Sequence, residues 1–152
     1  MHFVGYIEKY LEFSDFFIDI GSFDGAYLEI AKRFMKKGLV YSYEPNSWRI
    51  TKYKKLKLFL LNYKIKINYF DSVVSNQDGQ LNLYKDTISK EVKPNREPTK
   101  VNSIILDNIL KNRKKVPSVV KIDIEGAEYN CLLGCKNLIS KGLTHFFVEV
   151  HQ

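Results

Sequence analysis

The sequence predicts a single α/β domain over residues 1–152, with a mostly parallel sheet covered by helices on both faces. Three observations lead there. Short apolar runs alternate with segments of helical spacing along most of the chain. Residues 119–124 read as a strongly buried strand, as expected for a sheet covered on both sides. The length of 152 residues suffices for one packed core and is short for two.

Phe3, Ile7, Tyr10 and Leu11 have helical spacing, so residues 1–14 form an N-terminal amphipathic helix laid on the sheet. The apolar run 16–20 is a strand ended by Gly21. A helical pattern follows over 25–37, stopped by Gly38. Residues 39–43 make a second strand closed by Glu44 and Pro45, and Ser47 caps a Lys-rich helix reaching about Asn62. Residues 65–70 are a third strand. A turn cluster at 75–79 leads to the alternating segment 80–84, a strand expected to pair locally. Residues 86–100, with two prolines and no apolar periodicity, read as a mobile loop, either lid or linker. Asp107 caps a short helix to about Arg113, 127–140 is a helix, and 144–150 is the last strand.

Composition narrows the function classes. Hydrophobic residues make up 45% of the chain, with ten Tyr and ten Phe, so disorder is excluded. The formal charge of +7 comes from twenty Lys and four Arg. Readers of phosphate and base edges favour the planar Arg fork, so the excess reads as solvated surface rather than a nucleic-acid site. Cys131 and Cys135 lie four residues apart with no His or acid beside them at metal spacing, and read as small buried hydrophobes. No signal peptide or membrane span is visible at the amino terminus, so a soluble, cytoplasmic protein is expected.

Chemistry concentrates at strand ends. The segment 19–25, Asp-Ile-Gly-Ser-Phe-Asp-Gly, is a strand feeding a glycine turn and then a helix, which lets a ligand approach the backbone closely. Asp19, Gly21, Ser22 and Gly25 are its candidate cofactor-binding residues. A dinucleotide site lacks support: the third glycine of its fingerprint is missing, and Asp19 and Asp24 would repel a pyrophosphate. At 6 Å and an effective dielectric near 20, each such contact costs about 3 kcal/mol. The same acids favour a cationic ligand. Glu44, twenty-three residues after Gly21, is placed to accept from both hydroxyls of a ribose, at about 1.5–3 kcal/mol for each charge-assisted bond. Asn46 is a further cofactor-binding candidate, and Pro45-Asn46 bends the chain away from Glu44. Asp71 and Ser72, closing the third strand, are candidates for an adenine amine.

In the segment 120–128, Lys121, Asp123 and Glu125 fall on one side by strand alternation, as do Phe147, Glu149 and His151 near the end of the chain. A pairing of Lys121 with Glu149 across neighbouring strands is expected, because a buried unpaired charge is costly. Asp123, Glu125 and His151 remain available for a substrate.

Taken in order, Asp19-x-Gly21-x-x-x-Gly25, Tyr43-Glu44-Pro45-Asn46, Val74-Ser75-Asn76-x-Asp78-Gly79, Leu106-Asp107, the run from Lys121 to Glu128 and Val148-Glu149-Val150-His151 resemble the FkbM methyltransferase family. The resemblance implies a Rossmann-like class I methyltransferase fold, S-adenosylmethionine as cofactor, and O-methylation of hydroxyls on sugars or small metabolites. It also implies that Asp19, Gly21 and Gly25 cradle the methionine part and Glu44 the ribose. Asp123 or His151 is the expected base, with Glu125 orienting the acceptor; alternatively the three hold a divalent cation. Family members continue past the Glu-Val-His strand by a helix and two strands, so the fold is expected to lack its last two strands. That leaves an open sheet edge, which a second copy could cover as a homodimer. Phe23-Asp24 also departs from the family's usual small or amide residue followed by an apolar one. Two other readings stay open, a non-catalytic binding or partner module of the same fold and a nucleic-acid methyltransferase.

Overall fold

The computed structural model describes residues 4–46, 64–84, 87–88 and 97–151. In chain order its elements are α1 (Val4–Leu11), β1 (Phe16–Ile20), α2 (Ala26–Phe34), β2 (Gly38–Tyr43), β3 (Ile65–Phe70), β4 (Val73–Val74) and β5 (Gly79–Tyr84). Then come β6 (Thr87–Ile88), β7 (Thr99–Ile104), α3 (Leu106–Leu110), β8 (Val119–Ile122), α4 (Glu128–Leu133), α5 (Lys136–Ser140) and β9 (His145–Val148). Five strands form the main sheet in the order β3-β2-β1-β8-β9, every neighbouring pair parallel. A smaller sheet, β4-β7-β5-β6, is antiparallel at β5 and parallel between β4 and β7.

Strand alternation divides the core into two layers. Phe16, Ile18 and Ile20 of β1 point to one face with Tyr41, Tyr43, Val120 and Ile122, where α3, α4 and α5 supply Leu106, Cys131, Cys135 and Leu138. Phe17, Val40 and Val119 point to the other face, against Ile7 and Leu11 of α1 and Tyr27, Leu28 and Ala31 of α2. Both cysteines are buried as free thiols, as their helical spacing suggests. Asp19 shares a face with Phe17, and Lys121 with Val119. The parallel register sets Asp19 directly beside Lys121.

The fold class matches the sequence reading, and several local expectations are corrected. The segment 86–100 holds β6 and the start of β7, so within its described residues it adds strands to the small sheet and is not a plain loop. Residues 127–140 form two helices, broken at Gly134. A Cβ there would stand 2.1 Å from the Ser75 carbonyl oxygen, so the chain turns where a side chain cannot fit. Asp107 lies inside α3 and caps a different helix: its carboxylate accepts from Asn137 N–H at 2.7 Å and Leu138 N–H at 3.0 Å, at the start of α5. Asp78 caps α3 instead, accepting from the Ile105 N–H at 2.7 Å. The helix expected from Ser47 to Asn62 lies outside the described residues. No helix among the described residues is long and apolar enough to cross a membrane.

Candidate active site

The sheet order changes direction at β1: the chain runs outward through β2 to β3, then returns to β8 on the other side of β1. The carboxyl ends of strands flanking such a switch point are where open α/β sheets bind ligands. The first wall comes from the loop after β1. Gly21 has φ 76°, and a Cβ there would lie 1.9 Å from the Asp123 carbonyl oxygen, so only glycine lets this loop press against the end of β8. The Gly21 and Ser22 N–H groups both donate to the Tyr43 carbonyl, at 3.0 and 3.2 Å. The Ser22 hydroxyl meets Ser42 Oγ at 2.7 Å, tying the loop to β2. Phe23 adopts a left-handed φ of 44°, a conformation that costs a non-glycine residue about 1–3 kcal/mol. Glu44 holds it there by accepting the Phe23 N–H at 2.9 Å. Gly25, at φ 82°, then starts α2.

Glu44 ends β2 and is buried. Besides Phe23 it accepts from the Asn46 N–H at 3.1 Å and the Asn46 side-chain amide at 3.0 Å, so one carboxylate joins the loops after β1 and β2. Behind the loop, Lys121 is 2% exposed. Its ammonium donates to the Gly21 carbonyl at 2.7 Å, lies 3.2 Å from Asp19 Oδ1 and 3.6 Å from Asp123 Oδ2, and stands 4.8 Å from the Tyr27 ring centre. The expected pairing of Lys121 with Glu149 is therefore corrected. Lys121 stands in register with Phe147 on β9, and its acidic neighbour on β1 is Asp19. Neither Asp19 oxygen has a well-aligned hydrogen-bond donor, despite the short ion-pair distance. Burial pushes the Asp19 carboxyl above the ordinary carboxylate range, against the pull of Lys121. Burial and the neighbouring acids Glu149, Asp123 and Asp19 push the Tyr27 phenol up to about 12.

The far wall begins where β8 ends. Asp123, Glu125 and His151 converge there, with a ligating atom of each within 4.8 Å of the others. His151 Nε2 lies 3.7 Å from Asp123 Oδ1 and 3.8 Å from Glu125 Oε2. Its Nδ1 is 2.9 Å from Glu128 Oε1, which also accepts the Gly126 N–H at 3.0 Å. Glu125 is 62% exposed and adopts a left-handed φ of 53°. The Glu128 bond raises the His151 pKa, opposed by burial and aided by the charges of Glu125, Glu128 and Asp123. For Glu128, burial works upward but is outweighed by the bonds with His151 and Gly126, and its pKa falls.

These walls enclose a cavity of about 650 Å³, within the usual range for small-molecule sites. Of the expected residues, Gly21, Ser22, Glu44, Asn46, Ser72, Asp123, Glu125 and His151 line it. Asp19 and Gly25 stand behind the lining, and Asp71 is exposed and outside it. An apolar side made of Val73, Val74, Leu83 and Ile124 completes the enclosure.

The sequence model described as Methyltransferase FkbM domain matches residues 19–152. The chain belongs to the FkbM methyltransferase family. Among solved structures, methyltransferase FkbM from Methylobacillus flagellatus KT is similar, with a TM-score of 0.62 and 18% identity. That likeness covers 89% of this chain and 32% of the other, so the chain spans about a third of that protein's length. At this identity it supports the FkbM domain's fold, the mostly parallel α/β sheet described above. No curated protein matches the sequence.

Sequence reasoning included Glu128 in the family-like run from Lys121 but gave it no role of its own, and it passed over Tyr27 and the apolar side of this FkbM domain's cavity. Glu128 sits in the first turn of α4, where an acid ordinarily answers the helix dipole, so nothing local distinguishes it. Val73 and Val74 form a strand of two residues, too short for any periodic signal.

Proposed function

We propose that this FkbM domain binds S-adenosylmethionine in the cavity and transfers its methyl group to a hydroxyl of a sugar or small metabolite. The observation that carries the reading is the cavity at the switch point, with the glycine loop and Glu44 on one side and the Asp123, Glu125 and His151 cluster on the other. When bound, S-adenosylmethionine supplies a methyl group activated on a sulfonium sulfur.

The residues present suit that donor. Glu44, Asp123 and Glu149 on the wall, with Asp19 behind it, outnumber the one ammonium buried among the described residues, that of Lys121, which favours a ligand carrying a sulfonium and an ammonium. Val73, Val74 and Leu83 offer an apolar surface for a heteroaromatic ring. Gly21 and Ser22 present the loop to the methionine part, with Asp19 and Gly25 supporting it from behind. Glu44, held in place by Asn46, accepts from the ribose hydroxyls. Ser72 serves the adenine side, and exposed Asp71 does not.

The opposite cluster handles the acceptor. Asp123 or His151 takes the hydroxyl proton and Glu125 orients the oxygen, which places the base within one hydrogen bond of the reacting group. Positioning two reactants in one cavity supplies much of the acceleration. The test is transfer of a labelled methyl group from S-adenosylmethionine to a panel of sugars and small alcohols. Asp123→Asn should lower turnover by tenfold or more and lower donor affinity by clearly less than it lowers turnover. Donor binding without transfer to any acceptor would favour a binding module over an enzyme.

A further inference from the structure

The geometry points to a binding site for a divalent cation formed by Asp123, Glu125 and His151. How the cation is used rests on the methyltransferase reading above; that it binds does not.

Three features of the cluster lead to it. The first is the orientation of His151. Glu128 Oε1, on a side chain only 6% exposed, lies 2.9 Å from His151 Nδ1 and is itself fixed by the Gly126 N–H. A carboxylate accepting the Nδ1 proton sets the tautomer, so the lone pair of Nε2 faces the cavity. A second group that orients a histidine in this way is the usual companion of a metal ligand.

The second is spacing. Nε2 stands 3.7 Å from Asp123 Oδ1 and 3.8 Å from Glu125 Oε2. Both separations are too long for hydrogen bonds. Two ligands bonded at about 2.1–2.2 Å to one cation, with about 120° between them, sit about 3.7 Å apart. Both histidine–carboxylate pairs therefore have the separation that a shared cation would require, and the third pair, Asp123 with Glu125, lies within 4.8 Å. Asp123 divides its carboxylate accordingly, with Oδ2 toward Lys121 at 3.6 Å and Oδ1 toward the histidine.

The third is charge. Asp123, Glu125 and Glu128 crowd around one imidazole, and the nearest ammonium, Lys121, is already engaged by Asp19 and the Gly21 carbonyl. A cation relieves that crowding. Two carboxylates and one imidazole suit a first-row divalent ion such as Mn²⁺ and leave positions open for water or an acceptor oxygen. Asp123 and His151 would then hold the ion instead of taking the proton themselves, and the divalent charge would make the acceptor hydroxyl acidic enough to give its proton to solvent water.

The test uses Mn²⁺ with the full chain after chelator treatment, following loss of the free-ion signal by electron paramagnetic resonance. One ion per chain is expected, with nitrogen modulation in the spin echo that disappears in His151→Ala. Glu125→Gln, at an exposed position that leaves the fold intact by circular dichroism, should weaken Mn²⁺ binding at least tenfold. Glu128→Gln, which removes no ligand, should weaken it about ten- to hundredfold. Less than one ion per chain, or affinity unchanged in both Glu125→Gln and His151→Ala, overturns the site. Calorimetry with S-adenosylmethionine on the metal-free chain separates the two readings. Donor binding without Mn²⁺ binding removes the cation site alone. Mn²⁺ binding without donor binding leaves the site standing and removes the methyltransferase reading.

Discussion

Glu44 carries more than its place at a strand end implies, because one carboxylate holds the Phe23 N–H and both nitrogens of Asn46. Glu44→Ala removes the proposed ribose acceptor and the tie between two loops together. Losing a charge-assisted bond of about 1.5–3 kcal/mol weakens binding about ten- to hundredfold, so donor affinity should fall by at least tenfold in calorimetry. Unchanged affinity would remove Glu44 from the site. Asp19 makes a different prediction. Its carboxyl is raised by burial, so its contribution to stability is fully present below the ordinary value of 3.8 and is lost as pH rises through its folded value. The melting-temperature difference between Asp19→Asn and the natural sequence should therefore shift in the variant's favour as pH rises above 3.8, on top of the cost of leaving the buried Lys121 ammonium without its partner. A difference independent of pH would contradict the buried-charge account. The places of Gly21 and Glu44 on the cavity wall were legible because each follows from its own strand, turn and neighbours. The partner of Lys121 was not: β8 lies between β1 and β9, and chain order does not say which of them offers the acid.

Among the elements, the glycine loop and the ends of β1 and β8 act as one unit. Gly21→Ala would place a Cβ 1.9 Å from the Asp123 carbonyl oxygen at a φ of 76°, so the loop must move away from β8. Loss of more than about 1 kcal/mol in denaturant unfolding is expected, together with loss of donor binding. Asp107→Ala tests the other side of the sheet. It removes the acceptor for two N–H groups at the start of α5 and should cost about 1 kcal/mol in the same measurement, leaving donor affinity unchanged. Main-sheet strands announced themselves by apolar runs, and β1 and β3 have the bounds their sequences suggest. In the small sheet the alternating segment 80–84 was legible as β5, but β7 was not, because its Thr99, Lys100 and Asn102 are exposed and polar and only Val101 and Ser103 turn inward. Asp107 shows the same limit in another form. A helix-start acid was visible in sequence, but the helix it caps lies thirty residues further on.

Taken whole, the molecule is strongly basic, at +7, yet the walls of its one described switch-point cavity are acidic. That inversion favours a small cationic ligand over a polyanion, since a phosphate chain would meet Glu44, Asp123 and Glu125 on the cavity wall. The ligand proposed for this cavity of an FkbM methyltransferase domain is S-adenosylmethionine. Calorimetric titration of the intact chain with S-adenosylmethionine tests it most directly. Saturable binding of one donor per chain, weakened at least tenfold by Glu44→Ala, is the predicted result; no heat of binding from a chain shown to be folded would contradict it.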